Sequence, residues 1–428
     1  MTVTGSQLHA DSESTRTPRW RRAVKAARGW VEDASRPDPS VRAVRRIELA
    51  QVLGYWAIAR GMNLAFLLFW YLVSTAAGWG FGAQDRPVVT FAAFLTGWDA
   101  DRYGRISLIG YPPVIPIGPN GNVLENDWAF LPIYPWLERV VGDIVGSDWR
   151  AAGIGLSIFF SATATVLLFL LLRAVTSPRQ AKWAVIFFSF APLSFVFVIA
   201  YAESLVLTLT FAALLLAVKR KYVWITPIAL VAAFTRPGAL ALALALGIVF
   251  LVRWWRRKVD PFPRGEVVGL LVAGGVTALA GLAWSWIADA ATGTPHAYVL
   301  TETAWWRPFV GNGDFLPLTP WFRFMGEYLS VFGWLLVIAL MVGFAMLIWS
   351  RPVRKLGIVV AAYGLSYGLY IFGVFLPQAS TFRLLMPMSP LLAHERLSAS
   401  KRTRNGILIA LVVLQFFAVY GLWTRGYP

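Results

Sequence analysis

Apolar residues in this chain gather into runs near 20 residues, separated by short stretches rich in arginine, lysine, glycine and proline. About 20 residues is the length at which an α-helix crosses the roughly 30 Å hydrocarbon core of a bilayer. The runs do not alternate apolar with polar positions, as the strands of a membrane β-barrel do. The pattern therefore predicts an all-α integral membrane protein, because a spanning helix satisfies its own backbone hydrogen bonds. Runs fall at about 47–77, 150–175, 183–200, 204–218, 222–235, 238–252, 266–288, 327–349, 356–376, 384–393 and 406–423, a polytopic bundle of about 11 transmembrane helices. No internal repeat and no separate soluble domain is visible.

Basic residues orient this bundle. Lysine and arginine number 39 against 22 aspartates and glutamates, a net charge of +17. Such an excess could serve a nucleic acid. Here it sits mainly at the ends of apolar runs, the positive-inside pattern of a membrane protein, so no nucleic-acid partner is expected. Residues 1–47 form a basic arm containing Arg19, Arg21, Arg22, Lys25 and Arg28, which places the N-terminus in the cytoplasm. The arm has no apolar core of the signal-peptide kind. Its segment from Trp20 to Trp30 fits either an amphipathic helix on anionic lipid or a solvated cytoplasmic tail.

Residues 48–428 then form the membrane domain. Its cytoplasmic connectors carry Lys219-Arg220-Lys221, Arg253 to Lys258, and Arg351 with Arg354 and Lys355. That leaves two long extracytoplasmic loops, 78–148 and 289–326. A short surface helix is expected over Ile133–Val145. Arg60 falls near the middle of the first run and is expected to face the bundle or water, with a carboxylate as a fitting partner. The run 222–252 lies between two cytoplasmic groups and must cross twice. Its interruption is Thr235-Arg236-Pro237-Gly238, a strong helix breaker. The expectation is two short helices meeting at a tip that carries Arg236.

Composition narrows the chemistry. Charged residues make up 14%, against about 25% in soluble domains, and mean hydropathy is +0.60. Cysteine is absent and the three histidines, His9, His296 and His394, are far apart. No disulfide, thiolate nucleophile, metal site or cofactor is expected. The Ala-, Arg- and Trp-rich usage fits a GC-rich bacterial genome. On the topology above, Asp99, Asp101, Asp127, Glu203, Arg236, Glu302, Trp305, Arg307, Asp314 and Arg383 all fall at or near the extracytoplasmic face. A carboxylate can act as general base on a hydroxyl, and arginine grips phosphate bidentately at any working pH. Tryptophan offers a face for a sugar ring. The set suits transfer of a group from a lipid phosphate to a hydroxyl at the membrane surface. A transporter or lipid flippase would also need intramembrane arginines and broken helices. It should, however, show related halves and midplane polar groups.

The order of short motifs resembles one family. Trp98-Asp99-Ala100 with Tyr103 and Gly110-Tyr111 is similar to the "WDAxWY…GY" signature of the PIG-V-like (GPI mannosyltransferase II-type) GT-C glycosyltransferases. Phe130-Leu131-Pro132-Ile133-Tyr134-Pro135 resembles their "FFPLYP", Tyr201-Ala202-Glu203-Ser204 their "YTES", and Thr235-Arg236-Pro237-Gly238 their "TRxxG" break. Thr294-Pro295-His296-Ala297 through Trp305 resembles "GDPLAF…AW". The chain departs from the pattern at Arg102, which replaces a tryptophan, at Leu131, and at Gly293-Thr294-Pro295, which lacks an aspartate.

The resemblance implies a GT-C-type bundle and an inverting transfer on the extracytoplasmic face. The donor would be a polyprenyl-phosphate sugar, usually mannose, and the acceptor a membrane-associated glycan, glycolipid or protein. It makes Asp99 the base, with Asp101 as alternative; the plain reading of Asp99 is a helix cap. Arg236 and Arg383 would hold donor phosphate, against a structural ion pair of Arg236 with Glu203 and a topogenic role for Arg383. Trp98, Tyr103, Tyr134 and Glu203 would serve as substrate contacts or framework. Trp305 and Arg307 would touch sugar or acceptor, although an interfacial aromatic belt also explains a tryptophan there.

Overall fold

A computed structural model describes residues 19–35, 44–80, 90–313 and 315–426. Asp314 and most of the polar arm lie outside the described residues. The described part of the arm contains a helix, α1 (Arg19–Ala34). Helix α2 (Arg46–Ala76) begins at a capping box in which Glu48 accepts from the Arg45 backbone N–H at 2.9 Å. Arg60 in α2 is buried, as its depth requires. Among the described residues it has no carboxylate partner. Instead its guanidinium donates to the carbonyls of Ser189 and Ser194, at 2.6 and 3.1 Å, and lies over the Phe197 ring. Carbonyls freed by irregular backbone suffice here, because the cation needs donors satisfied more than it needs a counter-charge.

The described part of the first long loop holds more helix than its composition predicts. It contains α3 (Phe91–Leu95), α4 (Asp99–Ile109) and α5 (Ile133–Val145), the last with the bounds expected from its apolar face. Helix α4 is polar and interrupted by Gly104, which hides it from hydropathy. Gly104 has a packing reason: a Cβ there would stand 2.5 Å from the Trp149 ring of α6 (Trp149–Arg173). Gly110 closes α4 at φ 77, and Tyr111 then stacks on Trp128, which packs on Trp284. The Trp284 indole donates to the Trp128 carbonyl at 3.0 Å. This aromatic group fastens the loop to the later helix that carries Trp284.

Helix α7 (Pro178–Ser189) opens with a Ser177/Gln180 capping box and gives way to a short 3-10 turn, Ser194–Val198. Helix α8 (Glu203–Val218) returns. Helix α9 (Ile225–Ala233) and α10 (Ala239–Arg256) flank the expected break, where Gly238 takes φ 141, a value reserved for glycine. They are followed by α11 (Arg264–Thr292), the short α12 (Ala297–Ala304) and α13 (Arg307–Val310), α14 (Pro320–Trp349), the one-turn α15 (Arg351–Arg354), α16 (Gly357–Val374), α17 (Thr381–Leu384) and α18 (Lys401–Ala418). The main core lies among α2, α6, α8, α10 and α16, with Leu168, Phe195, Phe197 and Phe211 fully buried.

Among the described residues, seven helices are long and apolar enough to cross a membrane: α2, α6, α10, α11, α14, α16 and the helix beginning at Lys401. The chain is thus a multi-pass helical bundle. The other four expected crossings correspond to shorter pieces. Residues 183–200 divide between α7 and a 3-10 turn, 204–218 and 222–235 form α8 and α9, and 384–393 is a 3-10 segment. An expectation of eleven therefore rests on the charge rule, not on helix length.

Candidate active site

Helices α8 and α10 both begin at one end of the bundle and run toward the basic end, where Arg220 pairs with Asp260 and Arg253 with Glu266. At their starting end, four charged side chains from four parts of the chain converge. Arg236, in the break before α10, donates to Glu203 Oε1 at 2.5 Å. Arg383, on the single turn α17, lies 2.6 Å from Asp99 Oδ2 and 3.4 Å from the same Glu203 oxygen. The formal charge of this group is zero. Glu203 and Arg383 are buried, while the Asp99 side chain keeps 22% exposure.

Local structure explains each placement. Glu203 is the first residue of α8, where a helix start favours an acid. Asp99 is the first residue of α4, but its carboxylate is turned to Arg383 and does not cap the helix. The residue before it, Trp98, is forced to φ 58, a region that non-glycine residues seldom adopt. Trp98 is held there by its indole N–H, which donates to the Trp423 carbonyl at 3.3 Å. Tyr201 completes the support: its hydroxyl accepts from the Asp99 backbone N–H at 3.3 Å, and its ring lies under the Arg383 guanidinium.

The remaining expected residues sort into four positions. Tyr103 and Tyr134 are buried framework. Their rings meet edge-on, and the Tyr134 hydroxyl donates to the Gly153 carbonyl at 2.8 Å. Trp305 lies beside Phe130 with the Arg102 guanidinium 5.4 Å from its ring. Arg102, the departure from the family pattern, also reaches Asp127 at 3.3 Å, where Arg105 joins it at 2.7 Å. The arginine thus makes a cation–aromatic contact here. Arg307 opens α13, near enough to Glu125 to act on its carboxyl electrostatically. Asp101 is exposed on α4 and is not among the four converging groups.

Three contributors, Trp423, Tyr363 and Tyr367, carry no obvious mark in the sequence, whereas Glu302 is among the polar groups expected at this face. Trp423, at the far end of the chain, is fully buried against Phe94, Phe195 and Tyr201. Tyr363 and Tyr367 of α16 line a pocket together with Glu203, Arg236, Arg383, Val206, Leu207, Leu242 and Met386. Glu302 on α12 stands close enough to feel Arg236 and Asp99. Burial pushes its carboxyl up to about 7, with Tyr298 and the charge of Arg236 opposing. Among the described residues, no three His, Cys, Asp or Glu side chains gather as a metal-ligand set. What the site can hold is an anion. Arg383 Nη1 is buried without a hydrogen-bond or ion-pair partner, so part of the guanidinium is open beside an apolar-walled pocket.

A multi-pass membrane protein with two arginines and two carboxylates gathered at one end of its bundle defines the class. No family model matches the sequence. Over 113 residues, 25% of this chain, it is 28% identical to GPI mannosyltransferase 2 of Schizosaccharomyces pombe. The chain spans about a quarter (24%) of that relative's length.

Proposed function

We propose that the protein is a GT-C-type glycosyltransferase. It would move a sugar, mannose in our reading, from a polyprenyl-phosphate carrier to a hydroxyl of an envelope acceptor on the extracytoplasmic side. The observation that carries this is the meeting of Asp99, Glu203, Arg236 and Arg383 beside one apolar-walled pocket. Similarity to a named mannosyltransferase supports the choice of sugar.

In this reading Arg236 and Arg383 bind the carrier phosphate. Arginine suits that task because its planar fork matches two phosphate oxygens and stays charged. The carrier's isoprene chain lies against the apolar pocket wall. The acceptor oxygen attacks the anomeric carbon from the face opposite the phosphate. A C–O bond to the acceptor forms, the C–O bond to phosphate breaks, and the configuration inverts. Asp99 takes the acceptor proton, and the arginines stabilise the charge that collects on the departing phosphate. Tyr201 and Trp98 hold Asp99 in place. Asp101 remains the alternative base in a variant of this scheme, but its exposure favours Asp99.

The test is incubation of purified, reconstituted protein with radiolabelled polyprenyl-phosphate mannose and an envelope lipid extract. Label appearing in a product that survives mild acid supports the reading. Label that stays on the carrier, with carrier bound, refutes it.

A further inference from the structure

The carboxylate proposed as base is not free: its Oδ2 lies 2.6 Å from Arg383 Nη2. A carboxylate oxygen held by a buried guanidinium is poorly placed to take a proton from a hydroxyl. The same guanidinium has one nitrogen, Nη1, with neither a hydrogen bond nor an ion-pair contact, although the side chain is only 7% exposed; its Nε faces Glu203 Oε1 at 3.4 Å. Glu203 Oε2 is likewise buried and unpartnered. The group is neutral as it stands and its arginine is under-bonded, so it is prepared for one further anion.

Resting on the donor reading above, we propose that Arg383 couples the carrier phosphate to the base: it restrains Asp99 until phosphate arrives and releases it once phosphate is bound. Arg383 is then a positioning residue for the acceptor step as well as a phosphate ligand. The physical reason is competition. A phosphate seated on Nη1 divides the charge of the guanidinium. It also sets a like charge near Asp99, and both effects weaken the hold on Oδ2. Arg236 does not do the same, because its partner is Glu203, which no step uses. Glu203 anchors both arginines while Arg383 exchanges partners. The consequence is an order of addition: carrier first, acceptor second. Without carrier the base stays masked.

The test reads Asp99 directly. Intact protein in nanodiscs is treated with a water-soluble carbodiimide and an amine, with and without decaprenyl phosphate, which has no sugar to transfer. The adduct on the Asp99 peptide is quantified by mass spectrometry, and binding of radiolabelled decaprenyl phosphate is measured in the same samples. We expect little adduct in the free protein and a several-fold rise when the carrier is bound. Bound carrier with an unchanged or smaller adduct overturns the coupling and leaves the donor reading standing. Absence of carrier binding overturns both. Arg383→Gln supplies the released state without carrier, so its adduct should be high from the start. An adduct as low as in the unaltered protein overturns the proposal.

Discussion

Replacing Glu203 tests whether the ionic group is a connected unit. Its carboxylate is buried, accepts from Arg236 at 2.5 Å and lies 3.4 Å from Arg383 Nε. In Glu203→Gln, Arg383 keeps Asp99 as partner, so the loss falls mainly on Arg236, whose side chain is 13% exposed. Charges about 4 Å apart at an effective dielectric near 20 attract by about 4 kcal/mol. Removing one partner from a buried pair costs about 3–5 kcal/mol, because the survivor stays desolvated. The amide keeps the shape and one acceptor, so the lower half of that range is expected. Thermal unfolding in detergent, followed by tryptophan fluorescence, should show the loss. The double variant Glu203→Gln/Arg236→Met should recover part of it, since no unpaired cation then remains. A single variant within about 1 kcal/mol of the unaltered protein, the worth of an exposed pair, would refute the reasoning. So would a double variant whose loss equals the sum of the two singles.

Three further outcomes follow from the geometry. Arg236→Lys keeps the charge but not the fork, so carrier binding should weaken about tenfold or more, a loss of about 1.4 kcal/mol, read by radiolabelled carrier binding. Glu302 has its carboxyl raised by burial from 4.5 to about 7, so the folded state holds its proton more tightly than the unfolded state. That contribution to stability is complete below about pH 4.5 and disappears as pH rises through about 7. It amounts to no more than about 3 kcal/mol, so Glu302→Gln should flatten the fall in melting temperature between pH 5 and 8. Gly104→Ala should cost about 1–3 kcal/mol by overpacking against Trp149, while Gly29→Ala, with no atom near its added methyl, should cost little.

Much of this architecture is legible from pattern alone, and the exceptions have physical causes. The helix Ile133–Val145 shows in its apolar face, and the break at Thr235–Gly238 in its proline and glycine. Both are local signals. Helix α4 escapes a hydropathy reading because its face is polar and its glycine serves a tertiary contact with Trp149. The convergence of Asp99 with Arg383 is a contact between chain segments with no shared periodicity; a family-like motif pointed to Asp99, and only its place at the extracytoplasmic face pointed to Arg383. Trp423 and Tyr367 belong to apolar helices, where an aromatic residue looks like any other core residue. Arg102 was marked only as a departure. Its role against Asp127 and Trp305 appears once α4 and α12 are placed side by side.

The central claim is that Asp99 takes the acceptor proton. A positioned base contributes typically about 10²–10⁴-fold to rate. Asp99→Asn keeps the side chain's size and a hydrogen-bonding oxygen for Arg383 but removes the basicity. The measurement is the initial rate of sugar transfer from polyprenyl-phosphate mannose by Asp99→Asn, with carrier binding measured on the same preparation and Asp101→Asn alongside. The account predicts a rate lowered by about 10²-fold or more, carrier binding nearly intact, and a much smaller loss in Asp101→Asn. An Asp99→Asn protein that retains more than about a tenth of the rate would contradict it.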